Sequence, residues 1–299
     1  MIRCFEEIIS AAQAQGPKII AVAVAQDYEV LQAVCNARER GIADAILVGD
    51  EIQIHRIAGE HKLDIAPFRI LHETDNVTAC RTAVRLVSGG EAQLLMKGLV
   101  DTSVILKAVL DKEIGLRTLN VLSHVAVAEV AGYDRLFYIT DAAMNIAPVV
   151  SEKKQIIENA VKVAKALGNK EPKVACLCAV EKLNTKMAAT VDAIELVRMN
   201  QYGEIAGCIV AGPLALDNAV SPEAARHKGI TDPVAGNADV LLVPFIEAGN
   251  MLYKSIVFFA RGKVGGIVVG AKAPVVLTSR ADSDIAKLNS IAIGVLMAE

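Results

Sequence analysis

Polar side chains follow an apolar run near the end of the chain, in the segment KAPVVLTSRADSD (272–284). The apolar run, Pro274–Leu277, is rich in valine and is typical of a buried strand. The hydroxyl, guanidinium and carboxylate side chains that follow it are Thr278, Ser279, Arg280, Asp282, Ser283 and Asp284. A serine hydroxyl and an arginine fork can hydrogen-bond the oxygens of a tetrahedral anion. The segment therefore predicts an anion-binding strand end.

The same residues also fit a role in helix formation alone. Ser283 or Asp282 can cap a final helix, which we predict from about Ser283 to Met297. Asp284 is then favoured in the first turn by the helix dipole, and Arg280 is its surface partner. The sequence by itself leaves both interpretations open.

A second candidate lies in MKGLVDTSVILKAVL (96–110). Lys97 follows a predicted strand and supplies a cation, Gly98 permits close approach of the backbone, and Thr102 lies at the start of the next helix. A helix N terminus beside a lysine can hold an anion. Alternatively, Asp101 or Thr102 only caps the helix and Lys97 is solvated. The spacing is equally consistent with both.

Strand-like and helix-like segments alternate along the chain and must position these residues. KIIAVAVA (18–25) reads as a buried strand, and a helix follows from about Tyr28 to Arg40 with Asp27 as its N-cap. Repetition of this pattern predicts an α/β fold based on a parallel sheet, whose ligands bind beyond the carboxyl ends of the strands. In the middle, 121–130 and 135–141 predict a β-hairpin.

The segment KEIGLRTLN (112–120) interrupts this alternation. We predict a first α/β domain formed by 1–118 plus 280–299 and a second formed by 119–279, with a cleft between them. The return of the final helix to the first domain is inferred because its polar cluster needs a surface to face.

Composition excludes several classes of function. The chain has 299 residues, 53% of them hydrophobic, and a net charge of −3. It has neither a basic patch for nucleic acid nor a long uncharged apolar run for a membrane. The N-terminal segment reads as an amphipathic helix rather than a signal peptide. Six cysteines without a C-x-x-C pair predict reduced thiols in a cytoplasmic protein.

Nucleotide and metal motifs are also missing from the sequence. No G-x-G and no Walker loop occur, so a tightly bound NAD or ATP is not expected. No histidine and carboxylate spacing indicates a metal site.

Several motifs occur in order across most of the chain: TDAAMNIAP (140–148), VAGPLALDNAV (210–220), DPVAGNADVLLVP (232–244), EAGNMLYK (247–254) and GAKAPVVLTSRADS (270–283). Together they resemble the phosphate acetyltransferase and phosphate butyryltransferase family. The segment from Leu94 to Thr118 resembles the butyryltransferase branch, because acetyltransferases usually carry a shorter Ser-Gly motif where Met96-Lys97-Gly98 stands.

The resemblance implies a two-domain fold like that of isocitrate and isopropylmalate dehydrogenases, with the active site in the interdomain cleft. It implies homo-oligomers, either dimers or multiples of dimers. The implied reaction is reversible: acyl-CoA and phosphate give acyl phosphate and free CoA. The CoA thioester is a substrate, and the resemblance implies no metal and no bound cofactor.

The resemblance also implies roles for individual residues. Ser279 and Arg280 would hold the phosphoryl group, and Asp284 would take the proton from the CoA thiol. Acetyltransferases space this serine and aspartate by two more residues, so Asp282 remains a competitor for the base.

Other residues complete the candidate set. Asn145, Asn250 and Lys254 match family positions near the cleft. Lys97, Gly98 and Thr102 are added as phosphate- or CoA-binding candidates, since they follow a strand end. We expect direct transfer in a ternary complex, because no cysteine is placed to carry an acyl group.

Three alternatives stay open at this point. The acyl group could be acetyl rather than butyryl, since one methylene changes binding in a pocket by only about 1–3 kcal/mol. A metal- and NAD-dependent decarboxylating dehydrogenase would need an aspartate cluster, for which Asp141, Asp217 and Asp239 are available near strand ends. A non-catalytic CoA- or phosphate-binding regulator is the third.

Overall fold

The structure is a computed structural model that describes residues 1–279 and 282–298. The chain divides into two compact units. The central unit comprises Met1–Cys4 and Val121–Val264, and the terminal unit comprises Phe5–Asn120 and Gly265–Glu299. The predicted domains differ from these units mainly in residues 265–279, and their boundaries as functional domains stay a prediction.

Strands and helices alternate along the described chain, as the sequence pattern predicted. The strands are β1 Lys18–Ala23, β2 Ala43–Gly49, β3 Arg69–His72, β4 Leu94–Lys97, β5 Ser123–Glu129, β6 Leu136–Thr140, β7 Lys173–Leu177, β8 Ile209–Leu214, β9 Val240–Leu242, β10 Lys263–Val269 and β11 Val275–Val276. The helices are α1 Phe5–Gln15, α2 Tyr28–Glu39, α3 Glu51–His61, α4 Asn76–Ser88, α5 Thr102–Val109, α6 Val150–Ala166, α7 Ala188–Gln201, α8 Leu216–Val220, α9 Pro222–His227, α10 Ile246–Phe258 and α11 Asp284–Met297.

The sheet of the terminal unit has the strand order β3-β2-β1-β4-β11-β10. Neighbouring strands are parallel except β10 and β11, which are antiparallel. Ala23 of β1 pairs with Lys97 of β4, and Met96 of β4 pairs with Val276 of β11. The carboxyl ends of β1, β4 and β11 therefore lie side by side, which brings both predicted polar segments to one edge.

The sheet of the central unit has the order β5-β6-β9-β7-β8. Strands β5 and β6 form the predicted antiparallel hairpin, and β6, β9, β7 and β8 are parallel. The polar residues that follow β6 and β7 accordingly share one edge of this sheet.

Short polar side chains determine where several helices begin. Asp27 accepts a hydrogen bond from the Val30 amide at 3.0 Å, which confirms it as the N-cap of α2. Ser283 accepts one from the Ala286 amide at 3.2 Å and caps α11, as predicted. Such a bond satisfies an amide that the helix itself leaves unpaired.

A local turn precedes helix α7, which begins at Ala188. The Thr190 hydroxyl donates to the Asn184 carbonyl and accepts from the Asn184 amide, both at 2.9 Å. This local bonding holds 184–187 as a turn, because hydroxyl side chains compete with the helical ladder.

Many of the chain's buried hydrophobic residues lie in its strands. Residues 20–23 of β1, all of β4 and residues 123–128 of β5 are buried, as expected for sheets covered on both faces. Within the described residues, no helix combines the length and apolar character that crossing a bilayer requires.

Candidate active site

Lys97 and Ser279 line one small recess of the terminal unit. The other residues that line it are Asp27, Val30, Gly98, Leu99, Thr278 and Lys287. The recess follows directly from the strand pairing, since these residues come after β1, β4 and β11 or lie in α2 and α11. The two segments that the sequence suggested separately thus form one candidate site.

Lys97 is buried, with 5% of its surface exposed. Its ammonium donates to the carbonyl oxygens of Gly98 and Val100, each at 3.1 Å. The alternative of a solvated Lys97 is therefore wrong.

Gly98 packs against the end of β1. A Cβ at this position would lie 2.7 Å from the Ala23 carbonyl oxygen and closer still to that of Val24. The Gly98 amide donates to the Ala23 carbonyl at 2.8 Å. The close backbone approach that the sequence suggested at Gly98 is therefore an approach to the backbone at the end of β1.

Thr102 is the first residue of α5 and is half-buried. Asp101 occupies the N-cap position but makes no side-chain capping hydrogen bond there. The alternative in which Asp101 serves only to cap this helix is therefore not supported by the geometry.

Ser279 is exposed and makes two hydrogen bonds with Asp282. The Ser279 amide donates to Asp282 Oδ2 at 2.7 Å, and the Asp282 amide donates to the Ser279 carbonyl at 3.1 Å. Arg280, the proposed partner of Ser279, lies outside the described residues.

The two candidate bases differ in their surroundings. The Asp282 carboxylate is engaged by the Ser279 amide. Asp284 is half-buried at the start of α11, and its carboxylate has no hydrogen-bond or ion-pair partner within the described chain. Negative charge is favoured at a helix N terminus. The two carboxylates therefore differ in their surroundings, and which of them takes the thiol proton stays a prediction.

Lys287 also lines the recess, and the sequence reasoning did not single it out. Its surface is 3% exposed, and its ammonium donates to the Asp282 carbonyl oxygen at 2.5 Å. The available signal was a lysine beside the apolar residues of α11, because Leu288, Ile291 and Ala292 are buried in this helix.

The central unit carries the other predicted residues. The Asn145 side chain donates to the Leu122 carbonyl at 2.9 Å and to Asp141 Oδ2 at 2.6 Å. Asp141 also accepts from the amides of Ala143 and Met144, at 2.8 and 2.9 Å. Asn145 is thereby fixed in a turn that follows the carboxyl end of β6.

Asn250 and Lys254 lie on α10, four residues apart, and therefore on one side of the helix. Asn250 is half-buried and donates to the Ala142 carbonyl at 3.3 Å, while Lys254 is exposed. Through this contact Asn250 lies next to the turn that begins at Asp141 and contains Asn145.

The three aspartates that a metal site would use do not converge. Asp141 follows β6, whereas Asp239 precedes β9, which runs parallel to β6, so these two lie at opposite edges. Asp239 accepts from the Lys173 amide at 2.9 Å, and exposed Asp217 pairs with Lys228 at 3.4 Å. Among residues 1–279 and 282–298, no three His, Cys, Asp or Glu side chains form a metal-binding group.

All six cysteines are free thiols. Burial raises the pKa of Cys35, Cys80, Cys178 and Cys208 to about 11, and it raises the pKa of Cys176 as well. Because the thiolate is the nucleophile, these buried cysteines are poor candidates for carrying an acyl group.

The sequence profile of the family described as "Phosphate acetyl/butaryl transferase" matches residues 4–79 and 70–295. The chain belongs to this family. Phosphate butyryltransferase of Clostridium beijerinckii is 52% identical over 298 residues, which cover 100% of this chain and 99% of that relative. Phosphate acetyltransferase of Thermotoga maritima is 44% identical over 293 residues, which cover 98% and 99%. The family resemblance seen in the motifs is confirmed.

Solved structures agree with this family membership. A branched-chain phosphotransacylase from Enterococcus faecalis has a TM-score of 0.83 at 37% identity, covering 94% of this chain and 98% of that one. A 4-hydroxythreonine-4-phosphate dehydrogenase from Burkholderia phymatum shares the fold alone, with a TM-score of 0.58 at 13% identity over 94% and 98%. The predicted dehydrogenase-like α/β fold is confirmed.

Proposed function

We propose that this family member transfers a short-chain acyl group, with butyryl as the best candidate, reversibly between CoA and inorganic phosphate. The observation that carries the proposal is that Ser279 and the buried Lys97 line one recess. A hydroxyl and a desolvated ammonium at adjacent strand ends suit a phosphate oxyanion. Full-length similarity to phosphate butyryltransferases supports the choice of butyryl.

Phosphate is held, in this proposal, by Ser279, Arg280 and Lys97. Gly98 and Thr102 complete the site, Gly98 by bringing β4 against β1 and Thr102 through the N terminus of α5. Preorganised cations and amides stabilise the charge that develops on phosphate as it leaves or attacks.

Asp284 is the proposed proton acceptor for the CoA thiol. A thiol with a pKa of about 8.5 is mostly protonated at neutral pH, so a positioned carboxylate helps to form the thiolate. The thiolate then attacks the carbonyl of the acyl phosphate, forms the thioester bond and expels phosphate. In the reverse direction phosphate attacks the thioester, and protonated Asp284 returns the proton to the leaving thiolate.

We assign Asn145, Asn250 and Lys254 to the binding of acyl-CoA. The bonds of Asn145 to Leu122 and Asp141 and of Asn250 to Ala142 make this part of the central unit rigid. The exposed ammonium of Lys254 suits an anionic group of CoA. CoA is a substrate in this scheme, no other cofactor takes part, and the proposed location is the cytoplasm.

Release of free CoA thiol tests the function. Purified protein is mixed with phosphate and with butyryl-CoA, acetyl-CoA or longer acyl-CoAs, and thiol release is followed with a chromogenic disulfide. We expect phosphate-dependent release, fastest with butyryl-CoA. Faster release with acetyl-CoA would identify acetyl, and not butyryl, as the preferred acyl group. No release with any acyl-CoA would refute the transferase proposal.

We also propose that the protein is a homo-oligomer, a dimer or a multiple of dimers. Large apolar side chains in and just after α10 support this: Met251, Phe258 and Phe259 are 63%, 65% and 88% exposed. Neighbouring exposed apolar groups of this kind mark interaction surfaces. Light scattering is expected to give an even multiple of the 31.7 kDa chain mass, and a monomer at micromolar concentration would contradict the proposal.

A further inference from the structure

Both amide hydrogens of the Asn145 side chain are already used within the central unit. The Asn145 Nδ2 group donates to the Leu122 carbonyl at 2.9 Å and to Asp141 Oδ2 at 2.6 Å. An asparagine amide has two N–H donors and one carbonyl oxygen, so no donor remains on this side chain. Asn145 Oδ1 has no hydrogen-bond partner among the described residues. Asn145 can therefore meet a ligand only as a hydrogen-bond acceptor.

The orientation of this amide is set by its surroundings. Turning it over would bring Oδ1 against the carbonyl and the carboxylate that the NH2 group now contacts, and both of these are acceptors. Asp141 is 3% exposed and accepts from the amides of Ala143 and Met144 at 2.8 and 2.9 Å. The His124 amide donates to Asp141 as well, at 3.2 Å. The held carboxylate of Asp141 thus determines that Asn145 keeps its oxygen, and not its NH2 group, for a ligand.

The segment that carries Asn145 is packed against the start of α10. The Ile246 amide donates to the Ile146 carbonyl at 3.0 Å, which fixes the backbone directly after Asn145. The side chains of Ile146 and Phe245, next to this contact, are 69% and 41% exposed. Asn145 is therefore a fixed acceptor with exposed apolar side chains beside it. A group that is already ordered costs less to use in binding.

Such an acceptor needs a donor on the substrate. The phosphate oxyanion and the thioester carbonyl call for donors themselves, so neither matches Asn145 Oδ1. The pantetheine arm of acyl-CoA carries two amide N–H groups separated by alkyl segments, and it combines donors with apolar surface. We propose that Asn145 Oδ1 accepts a hydrogen bond from an amide N–H of the pantetheine arm, and that Asp141 is the positioning residue that orients Asn145. The inference rests on the proposed function, since it takes acyl-CoA as a substrate.

Butyryl-CoA and two of its analogues test the donor on the substrate. In each analogue one of the two pantetheine amide N–H groups is replaced by an ester oxygen, which removes the donor and nearly preserves the shape. Asn145→Ala removes the acceptor, and Asn145→Leu removes it while keeping the side-chain size. Asn159→Ala is the matched control, because Asn159 Nδ2 also donates twice within the central unit, to the Val121 carbonyl and to Ser123 Oγ, both at 2.9 Å.

The ratio of kcat/KM for the amide and ester substrates is the main readout. For one ester analogue, the wild-type kcat/KM should be about 5- to 100-fold below that for butyryl-CoA, because an acceptor left unpaired in a binding site is costly. In Asn145→Ala and Asn145→Leu, kcat/KM for butyryl-CoA should fall by a similar factor, and this ratio should shrink to within about threefold of unity. Asn159→Ala should keep the wild-type ratio, whatever it does to stability.

Asp141→Asn tests the positioning role. An NH2 group at position 141 can donate to Asn145 Oδ1, so the Asn145 amide is free to turn over and discrimination against the ester should fall. Added to Asn145→Ala, Asp141→Asn should lower the discrimination no further. Asp239→Asn is the matched control, since the buried carboxylate of Asp239 accepts from the Lys173 amide at 2.9 Å at the opposite edge of the same sheet. It should keep the wild-type ratio. If Asp141→Asn does not fold, the Asn145 variants decide the question.

Binding measured without turnover separates this inference from the proposed function. CoA should raise the Tm of the wild-type protein more than its ester analogue does, and this difference should vanish in Asn145→Ala. If butyryl-CoA releases no thiol but the Tm difference depends on Asn145, the proposed function fails and the inference stands.

Two results would overturn the inference. One is a wild-type protein that uses and binds both ester analogues as well as the amide compounds. The other is an unchanged amide-to-ester ratio in whichever Asn145 variant folds, which would make Asn145 a residue of the turn only.

Discussion

Replacement of Asp284 by asparagine is expected to lower kcat by about 10²- to 10⁴-fold, the usual contribution of a general base. Asparagine has nearly the same shape as aspartate but cannot accept the thiol proton. Asp284 has no side-chain partner in the described chain, so its loss should leave the fold intact. Because the variant cannot change the equilibrium constant, kcat/KM should fall by the same factor in both directions. Initial rates of CoA release and of acyl-CoA formation measure this.

Asp282→Asn is the matched control for this experiment. It makes the same chemical change two residues earlier, and the asparagine oxygen can still accept the Ser279 amide that Asp282 Oδ2 now binds. We expect kcat within about tenfold of wild type, because only a charge next to the phosphate site is lost. If Asp282→Asn is the more damaging change, Asp282 and not Asp284 is the base.

The choice between these two carboxylates shows where sequence reasoning stopped. Their order along the chain left both open, since either could face the same anion. In the structure, the Asp282 carboxylate accepts a hydrogen bond from the Ser279 amide. Such a bond depends on the folded conformation and not on the spacing of residues along the chain.

The fold was more predictable than the site. The alternation of buried strands and capped helices follows from local sequence, and Asp27 and Ser283 were identified as N-caps from their types and positions. The parallel pairing of β1, β4 and β11 then places Lys97 and Ser279 at one edge without further assumption.

Burial was the property that the sequence could not provide. Lys97 was equally compatible with solvent, and Lys287 looked like an ordinary helical lysine. Both are buried in the folded chain, in which α11 packs against α2 and β11, and no spacing rule contains such a long-range arrangement.

Gly98 links the fold to the site, and Gly98→Ala is expected to damage both. The added methyl group would meet the carbonyl oxygens of Ala23 and Val24, which belong to backbone at the end of β1. Backbone cannot rotate away as a side chain can, so the ends of β1 and β4 must separate. We expect the free energy of unfolding to fall by about 2–4 kcal/mol. Displacement of neighbouring Lys97 should lower kcat/KM for phosphate by about 100-fold.

Gly59→Ala makes the same chemical change with the opposite expected sign. Gly59 lies in α3 of the same unit, and a Cβ there would have no atom within 4 Å. Alanine in a helix is favoured over glycine by about 0.5–1 kcal/mol, so Gly59→Ala should raise the urea midpoint and leave activity unchanged. A Gly98→Ala protein with the wild-type midpoint would show that β1 and β4 can adjust at no cost. The contrast has two causes: backbone contact opposes alanine at position 98, and the helix preference for alanine favours it at position 59.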